Sequence, residues 1–165
     1  MYRLRVLQIG LALVICDQIT KVLAVTYLEN QSSIKIIGNF LQLSFARNPG
    51  AAFSLATRAT LAFTVLAVVA AIGILIYANQ VRNNFWAIAL GGIFGGAVGN
   101  AIDRLFRSPR GFRGEVVDFI HFTNYPLFNL ADSAITLSAG LIIWLSFKGI
   151  NPKDSYPKLS HQGDS

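Results

Sequence analysis

Four apolar segments, each about as long as a membrane is thick, constrain the fold of this chain more than any other feature of its sequence. A helix needs about 20 apolar residues to cross a hydrocarbon core of ~30 Å. The second and third segments carry no charge, so they lack the polar face that a helix of a soluble bundle shows to water. The sequence therefore predicts an all-α membrane fold. Its four transmembrane helices are expected at about residues 6–28, 59–78, 85–102 and 127–147.

The loop between the first two segments has the pattern of a small β-sheet. Ile34–Ile36 and Leu41–Phe45 alternate apolar and polar residues, as half-buried strands do. Gly38 and Asn39 lie between them and suit a hairpin turn. We therefore expect a sheet within about residues 33–56, lying on the membrane surface.

The end of the chain lacks the apolar pattern of the rest. Residues 149–165 are mostly polar and include two prolines. A segment of this kind buries too little apolar surface to offset the entropy of ordering it. We therefore predict one membrane domain, residues 1–148, followed by a disordered tail.

The basic charge of the chain favours contact with lipids rather than with nucleic acid. The formal net charge is +6, but the lysines and arginines are spread over all the loops. They form no basic helix face, and no aromatic RNA-binding motif accompanies them. Attraction to anionic lipid headgroups explains the charge more simply. The lysines and arginines divide almost equally between the two sides of the membrane, so their count leaves the orientation of the protein open.

Aspartates in or beside the apolar segments are the candidate functional residues. Carboxylates near hydrocarbon are costly and therefore rare, which makes each one a candidate for function. Asp17 and Lys21 are four residues apart and share one helix face. They form either a structural ion pair or part of a functional site. The four aspartates are Asp17, Asp103, Asp118 and Asp132.

Asp118 and Asp132 are the pair with the clearest chemical potential. Asp118 lies in a loop between apolar residues, and Asp132 falls in the first turn of the fourth helix if Asn129 caps that helix. Asp132 alone would be explained equally well as a stabiliser of the helix N-terminus. Two carboxylates within ~3–4 Å share one proton, so one can activate water while the other protonates a leaving group. This is the chemistry of an aspartyl hydrolase.

Metal, cofactor and serine chemistry are poorly supported by the sequence. The chain has one cysteine and two histidines, His121 and His161, which lie far apart in sequence. A zinc site needs more ligands than these provide. His121 is the only candidate base for a serine nucleophile. We therefore expect no metal and no cofactor.

The third segment combines close helix packing with a polar end. Its glycines recur every four residues, a spacing that lets membrane helices approach closely. Asn100, Asp103 and Arg104 follow on one face. Because an arginine keeps its charge, Arg104 is expected to pair with a carboxylate, and Asp103 is the nearest candidate. The favoured role of this group is to support the site, and the alternative is that Asp103 takes part directly in catalysis.

Five motifs follow one another along residues 17–133. They are Asp17-Gln18-Ile19-Thr20-Lys21, Asn48-Pro49-Gly50-Ala51-Ala52-Phe53, Gly95-Gly96 with Gly99-Asn100 and Asp103-Arg104, Val116-Val117-Asp118-Phe119, and Phe128-Asn129-Leu130-Ala131-Asp132-Ser133. Each motif alone is weak, but together they are specific. In this order they resemble the motifs of the lipoprotein signal peptidase family (signal peptidase II), integral-membrane aspartyl proteases of bacteria.

The resemblance implies a function, an orientation and roles for the site residues. Both termini would lie in the cytoplasm, with a small extracytoplasmic β-sheet and an active site facing the outer leaflet of the bacterial cell membrane. The substrates would be prolipoproteins bearing a diacylglyceryl cysteine, cut just before that cysteine by a monomeric enzyme in contact with membrane lipids. Asp118 and Asp132 match the catalytic pair. The residues that match the pocket or its supports are Asp17, Lys21, Asn48, Gly50, Asn100, Asp103, Arg104 and Asn129.

Two other functions are compatible with four membrane helices. A small transporter or channel subunit could use Asp17, Lys21, Asp103 and Arg104 as an ion relay. Such a relay needs polar groups at several depths on several helices, whereas the second segment offers no charge. A non-catalytic membrane scaffold would not require two acids at one helix mouth.

Overall fold

The computed structural model describes residues 1–49, 56–108 and 114–155. It contains four long helices in this part of the chain, all long and apolar enough to cross a membrane. The prediction of a four-helix membrane fold with a small sheet is confirmed. The helices are α1 (Tyr2–Leu28), α2 (Ala56–Tyr77), α3 (Asn84–Phe106) and α4 (Leu130–Phe147). The strands are β1 (Ile34–Ile37), β2 (Leu41–Asn48) and β3 (Val116–Phe122), and a 3₁₀ turn spans Ala78–Gln80.

Helix α3 is the central helix of the bundle. In the most apolar stretch of α3, 61% of the residues are buried. In the corresponding stretches of the other three helices, the buried share is 17–22%. Its glycines make this possible because they let the neighbouring helices approach its backbone. Gly95 faces the backbone of Gly10 in α1, and Gly92 faces Ser138 in α4. The small-residue spacing of the third segment therefore acts in packing.

Gly95→Ala should loosen the contact between α1 and α3. A Cβ at this position would lie 2.7 Å from the carbonyl oxygen of Gly10 and 2.8 Å from the Cβ of Leu13. Overpacking of this kind costs about 1–3 kcal/mol of the free energy of unfolding. Gly140→Ala is the matched control, because a Cβ at Gly140 meets nothing within 4 Å. Unfolding in detergent micelles measures both. Equal stability of the two variants would contradict this packing.

The sheet has three antiparallel strands in the order β1-β2-β3. The hairpin of β1 and β2 was predicted, but β3 was not, and the assignment of Asp118 to a loop is wrong. In β3, Val116, Val117 and Asp118 are all buried. A strand buried on both faces shows no alternation, so its sequence carries no period-two signal. Asp118 pairs with Ala46 of β2, which brings the two loops together.

The start of the predicted tail is part of the fold. The indole N–H of Trp86 in α3 donates to the carbonyl of Ile150 at 2.9 Å. The backbone N–H of Arg82 donates to the carbonyl of Pro152 at 2.7 Å. Ile150 and Pro152 belong to the segment predicted to be disordered, but in the structure they bond to residues at or just before the start of α3. Residues 156–165 lie outside the part of the chain that the structure describes.

Candidate active site

Asp118 lies at the junction of the sheet and the helices and is only 2% exposed. Its two oxygens accept hydrogen bonds from the side-chain amides of Asn48, at 2.9 Å, and Asn129, at 2.6 Å. Burial raises the pKa of Asp118 to about 6. The nearby charge of Asp132 acts in the same direction as burial, whereas the two amides and the charge of Lys21 act to lower the pKa. The carboxyl can therefore gain or lose a proton near neutral pH.

Asp132 lies in the first turn of α4, as predicted, and Asn129 caps that helix. The side chain of Asn129 accepts from the backbone N–H of Asp132 at 3.0 Å, and the backbone N–H of Asn129 donates to Asp132 Oδ2 at 3.3 Å. The other oxygen of Asp132 accepts from the amide of Asn100 at 2.7 Å. These bonds fix the carboxyl group of Asp132 at the N-terminus of α4.

Asn129 connects the two carboxylates. Its side-chain amide donates to Asp118, while its backbone N–H donates to Asp132. Asn129 is itself completely buried. One residue therefore fixes the position of both acids, and it does so at the exact point where α4 begins.

A buried lysine lies behind this pair. Lys21 is fully inaccessible to solvent. Its ammonium group lies 2.8 Å from Asp17, 2.9 Å from Asp103 and 3.0 Å from the side-chain oxygen of Asn100. The three hydrogens of the ammonium thus have three acceptors, which a buried charge requires. The predicted ion pair between Asp17 and Lys21 is confirmed, and Asp103 extends it to α3.

The supporting carboxylates also hold the backbone next to each candidate acid. The N–H of Ala131, one residue before Asp132, donates to Asp17 at 3.0 Å. The N–H of Val117, one residue before Asp118, donates to Asp103 at 3.2 Å. Since both supporting carboxylates bind the same lysine, α1 and α3 position β3 and α4 through a single network.

Arg104 is not paired with Asp103, so that prediction is wrong. Adjacent residues of a helix point about 100° apart, and Asp103 instead binds Arg107, one turn further, at 2.7 Å. Arg104 donates to the backbone oxygen of Asn100 at 3.3 Å and lies 6.0 Å from the ring centre of Phe63 in α2. Its buried Nε has no hydrogen-bond partner among the described residues.

Two residues of the network were missed by sequence reasoning. Gln18 donates to Asp17, to Asp103 and to the backbone oxygen of Gly99, at 3.1–3.2 Å. Arg107 follows Asp103 by four residues, the same spacing that identified Asp17 and Lys21. That spacing was therefore a usable signal for Arg107, whereas Gln18 was included only as part of the motif Asp17-Gln18-Ile19-Thr20-Lys21, with no role assigned to it.

The two carboxyl groups bound to Asn129 can give and take protons. No group of three His, Cys, Asp or Glu side chains is placed to hold a metal ion within residues 1–49, 56–108 and 114–155. The structure brings together nine of the ten residues predicted for the site. The tenth, Gly50, lies outside the described residues.

Comparison with known proteins gives consistent results. The family described as Signal peptidase (SPase) II matches residues 9–148. The lipoprotein signal peptidase of Streptomyces griseus is 44% identical over 155 residues, which are 94% of this chain and 79% of that protein. That of Mycobacterium leprae is 42% identical over 150 residues, 90% of this chain and 75% of that protein. A solved bacterial membrane enzyme superimposes with a TM-score of 0.76 and 31% identity, covering 92% of this chain and 93% of that one.

Proposed function

This chain belongs to the signal peptidase II family, and from that premise we propose that it is a membrane aspartyl endopeptidase. It removes the signal peptide from diacylglyceryl-modified prolipoproteins by cutting before the lipidated cysteine. The observation that carries the proposal is the pair Asp118 and Asp132, two carboxyl groups bound to the same buried Asn129. The enzyme acts as a monomer and needs no metal or cofactor.

The environments of the two carboxyl groups support different roles. Asp132, held in the first turn of α4, acts as the base that takes a proton from water. Asp118 has a raised pKa and holds the proton that the departing amine needs. The water oxygen bonds to the scissile carbonyl carbon, and the carbon–nitrogen bond then breaks as Asp118 protonates the nitrogen. The proton taken by Asp132 restores the starting state when it returns to Asp118.

We propose that both termini lie in the cytoplasm and that the site faces the outer leaflet. Arg3 and Arg5 flank the start of α1, and bases close to the first helix favour the cytoplasmic side. The site is at the opposite end of the bundle, where α3 ends and α4 begins. Cysteines introduced at Lys153 and at Lys35 would test this, since a membrane-impermeant reagent added outside intact cells should label only Lys35→Cys.

The rate of cleavage should fall as pH rises through about 6. The folded protein favours protonated Asp118, because burial raises its pKa from 3.8 to about 6, so the acid form disappears above that pH. Asn48→Ala should move this limb of the kcat profile to higher pH, because the amide of Asn48 stabilises the ionised form. Single-turnover rates between about pH 5 and pH 8 give the profile. A rate that is constant over this range would contradict the assignment of the acid to Asp118.

The proposed function is tested by the need for lipid on the substrate. Each buried CH₂ contributes ~0.8 kcal/mol to membrane anchoring, and anchoring holds the scissile bond at the depth of the two acids, which lowers the entropic part of the barrier. The same precursor with and without the diacylglyceryl group should be offered in liposomes. We expect cleavage of the lipidated form only. Comparable cleavage of both forms would indicate a general intramembrane protease instead.

A further inference from the structure

An apolar cavity of about 460 Å³ opens beside Asp132. One wall is the segment that precedes α4, Tyr125–Phe128, and the other is the first part of α4 as far as Leu137. Most of its surface is apolar. Leu137 is 75% exposed, so the cavity is open towards the surroundings of the helix. For a membrane helix, those surroundings are lipid.

The cavity extends from the proposed dyad towards the middle of the membrane span. Asp132 is in the first turn of α4, and Leu137 follows it by five residues. At 1.5 Å per residue this is a descent of about 7.5 Å along the helix axis. A molecule that enters beside Asp132 and follows α4 therefore leaves the site in the direction in which lipid tails run.

Several polar groups of the walls are already hydrogen-bonded within the protein. The N–H of Phe128 donates to Ile120, and its carbonyl accepts from Phe119 and Ile120. The hydroxyl of Ser133 donates to the backbone oxygen of Asn129 at 2.9 Å, and Pro126 has no N–H. An extended peptide placed against these apolar walls would lose water from backbone groups that the wall segments do not all replace, at a cost in free energy. A hydrocarbon chain has no such groups.

Aromatic contacts hold the wall of the cavity in place. The ring of Phe128 stacks on that of Phe122 in β3, with the ring centres 5.9 Å apart. The ring of Tyr125 meets Phe128 edge-on at 6.1 Å. Together with the backbone bonds of Phe128, these contacts attach the segment to the sheet. The cavity is therefore preformed, which reduces the entropy lost when a flexible chain binds.

We propose that this cavity binds one acyl chain of the diacylglyceryl group, which makes it a site that distinguishes substrates by chain length. The inference rests on the proposed function. In a precursor that is cut just before its lipidated cysteine, the lipid and the scissile bond are joined to the same residue. The cavity and the dyad likewise share Asp132. The position, the apolar walls and the direction of the cavity all match an acyl chain.

Leu137→Trp tests the proposal because the larger side chain fills the open end of the cavity. The matched control is Ile143→Trp, which adds the same ring to another exposed position of α4, away from the cavity. Purified enzymes in liposomes would be given two precursors that differ only in acyl length, one with long and one with short chains. The quantity compared is the ratio of kcat/KM for the long-chain to the short-chain precursor.

The wild-type enzyme and Ile143→Trp should favour the long-chain precursor equally. Leu137→Trp should reduce that preference about tenfold, the equivalent of losing contact with about two methylene groups. An equal loss of rate for both precursors would indicate that the cavity binds the peptide rather than an acyl chain, and would overturn the inference. An unchanged preference would overturn it too. If the wild-type enzyme cleaved neither lipidated precursor, the proposed function itself would fail.

Discussion

Asp118→Asn and Asp132→Asn should each reduce cleavage by at least about a hundredfold, because positioned acid–base groups contribute 10²–10⁴ in rate. Asparagine keeps the shape of the side chain but neither shares nor transfers the proton. The measurement is the initial rate of precursor cleavage at equal amounts of folded enzyme. Asp154→Asn is the matched control, since Asp154 is exposed and lies beyond the end of α4. It should cleave at the wild-type rate.

Both variants should still fold and insert into the membrane. Asn48 and Asn129 each donate to one oxygen of Asp118, and an asparagine at this position presents only one oxygen to them. One amide has to turn, which is a small adjustment compared with burying a charge. Asp103→Asn should retain more activity than either variant, because Asp103 acts through the backbone of Val117. Near-normal cleavage by either dyad variant would refute the aspartyl mechanism.

Lys21→Met should destabilise the protein more than any other single change considered above. The ammonium group of Lys21 binds two buried carboxylates, Asp17 and Asp103. Methionine fills a similar volume but leaves these charges without their shared partner, and breaking a buried pair costs about 3–5 kcal/mol. The measurement is the free energy of unfolding in detergent micelles. Lys35→Met, at an exposed position of β1, is the control and should have almost no effect.

A second substitution shows whether the loss comes from charge. Asp17→Asn combined with Lys21→Met removes one of the two orphaned carboxylates, so the double variant should recover part of the stability lost by Lys21→Met alone. Asp103 retains Arg107, 2.7 Å away, as a partner. If Lys21→Met unfolds like the wild type, or if the double variant is the less stable of the two, the network does not have the role described.

The same network argues against an ion relay. A relay through the membrane needs polar groups at several depths. Here Asp17, Asp103, Asp118 and Asp132 are joined by Lys21, Asn100 and Asn129 into one cluster at one end of the bundle. Such a cluster suits a reaction at a single place.

Features that depend on local sequence were predictable. The four helices follow from the length of the apolar segments, the hairpin from alternation, and the cap at Asn129 from its position three residues before Asp132. The i,i+4 rule gave the contact between Asp17 and Lys21. Each of these signals lies within one turn of helix, one strand pair or one continuous segment.

Features that depend on distant partners were not predictable. Strand β3 is buried at Val116 and Val117 by helices and by β2, so its sequence does not alternate. Asp103 has a neighbour at i+1, Arg104, and another at i+4, Arg107, and only the second lies on its side of the helix. Its bond to Lys21 joins α3 to α1. No pattern within a single element reports a contact of this kind.

The bonds from Asp17 and Asp103 to the main chain at Ala131 and Val117 have a consequence for which substitutions the site tolerates. These carboxylates recognise an N–H that every residue except proline carries, so the hydrogen bonds themselves place no demand on the side chain, and only the buried packing of Ala131 and Val117 limits its size. A proline at Ala131 would be acceptable in the first turn of most helices. Here a proline would remove the N–H that donates to Asp17. The hydrogen bond that positions Asp132, the next residue, would be lost with it. Proline should therefore be excluded from this position, although the local helix geometry alone would permit it.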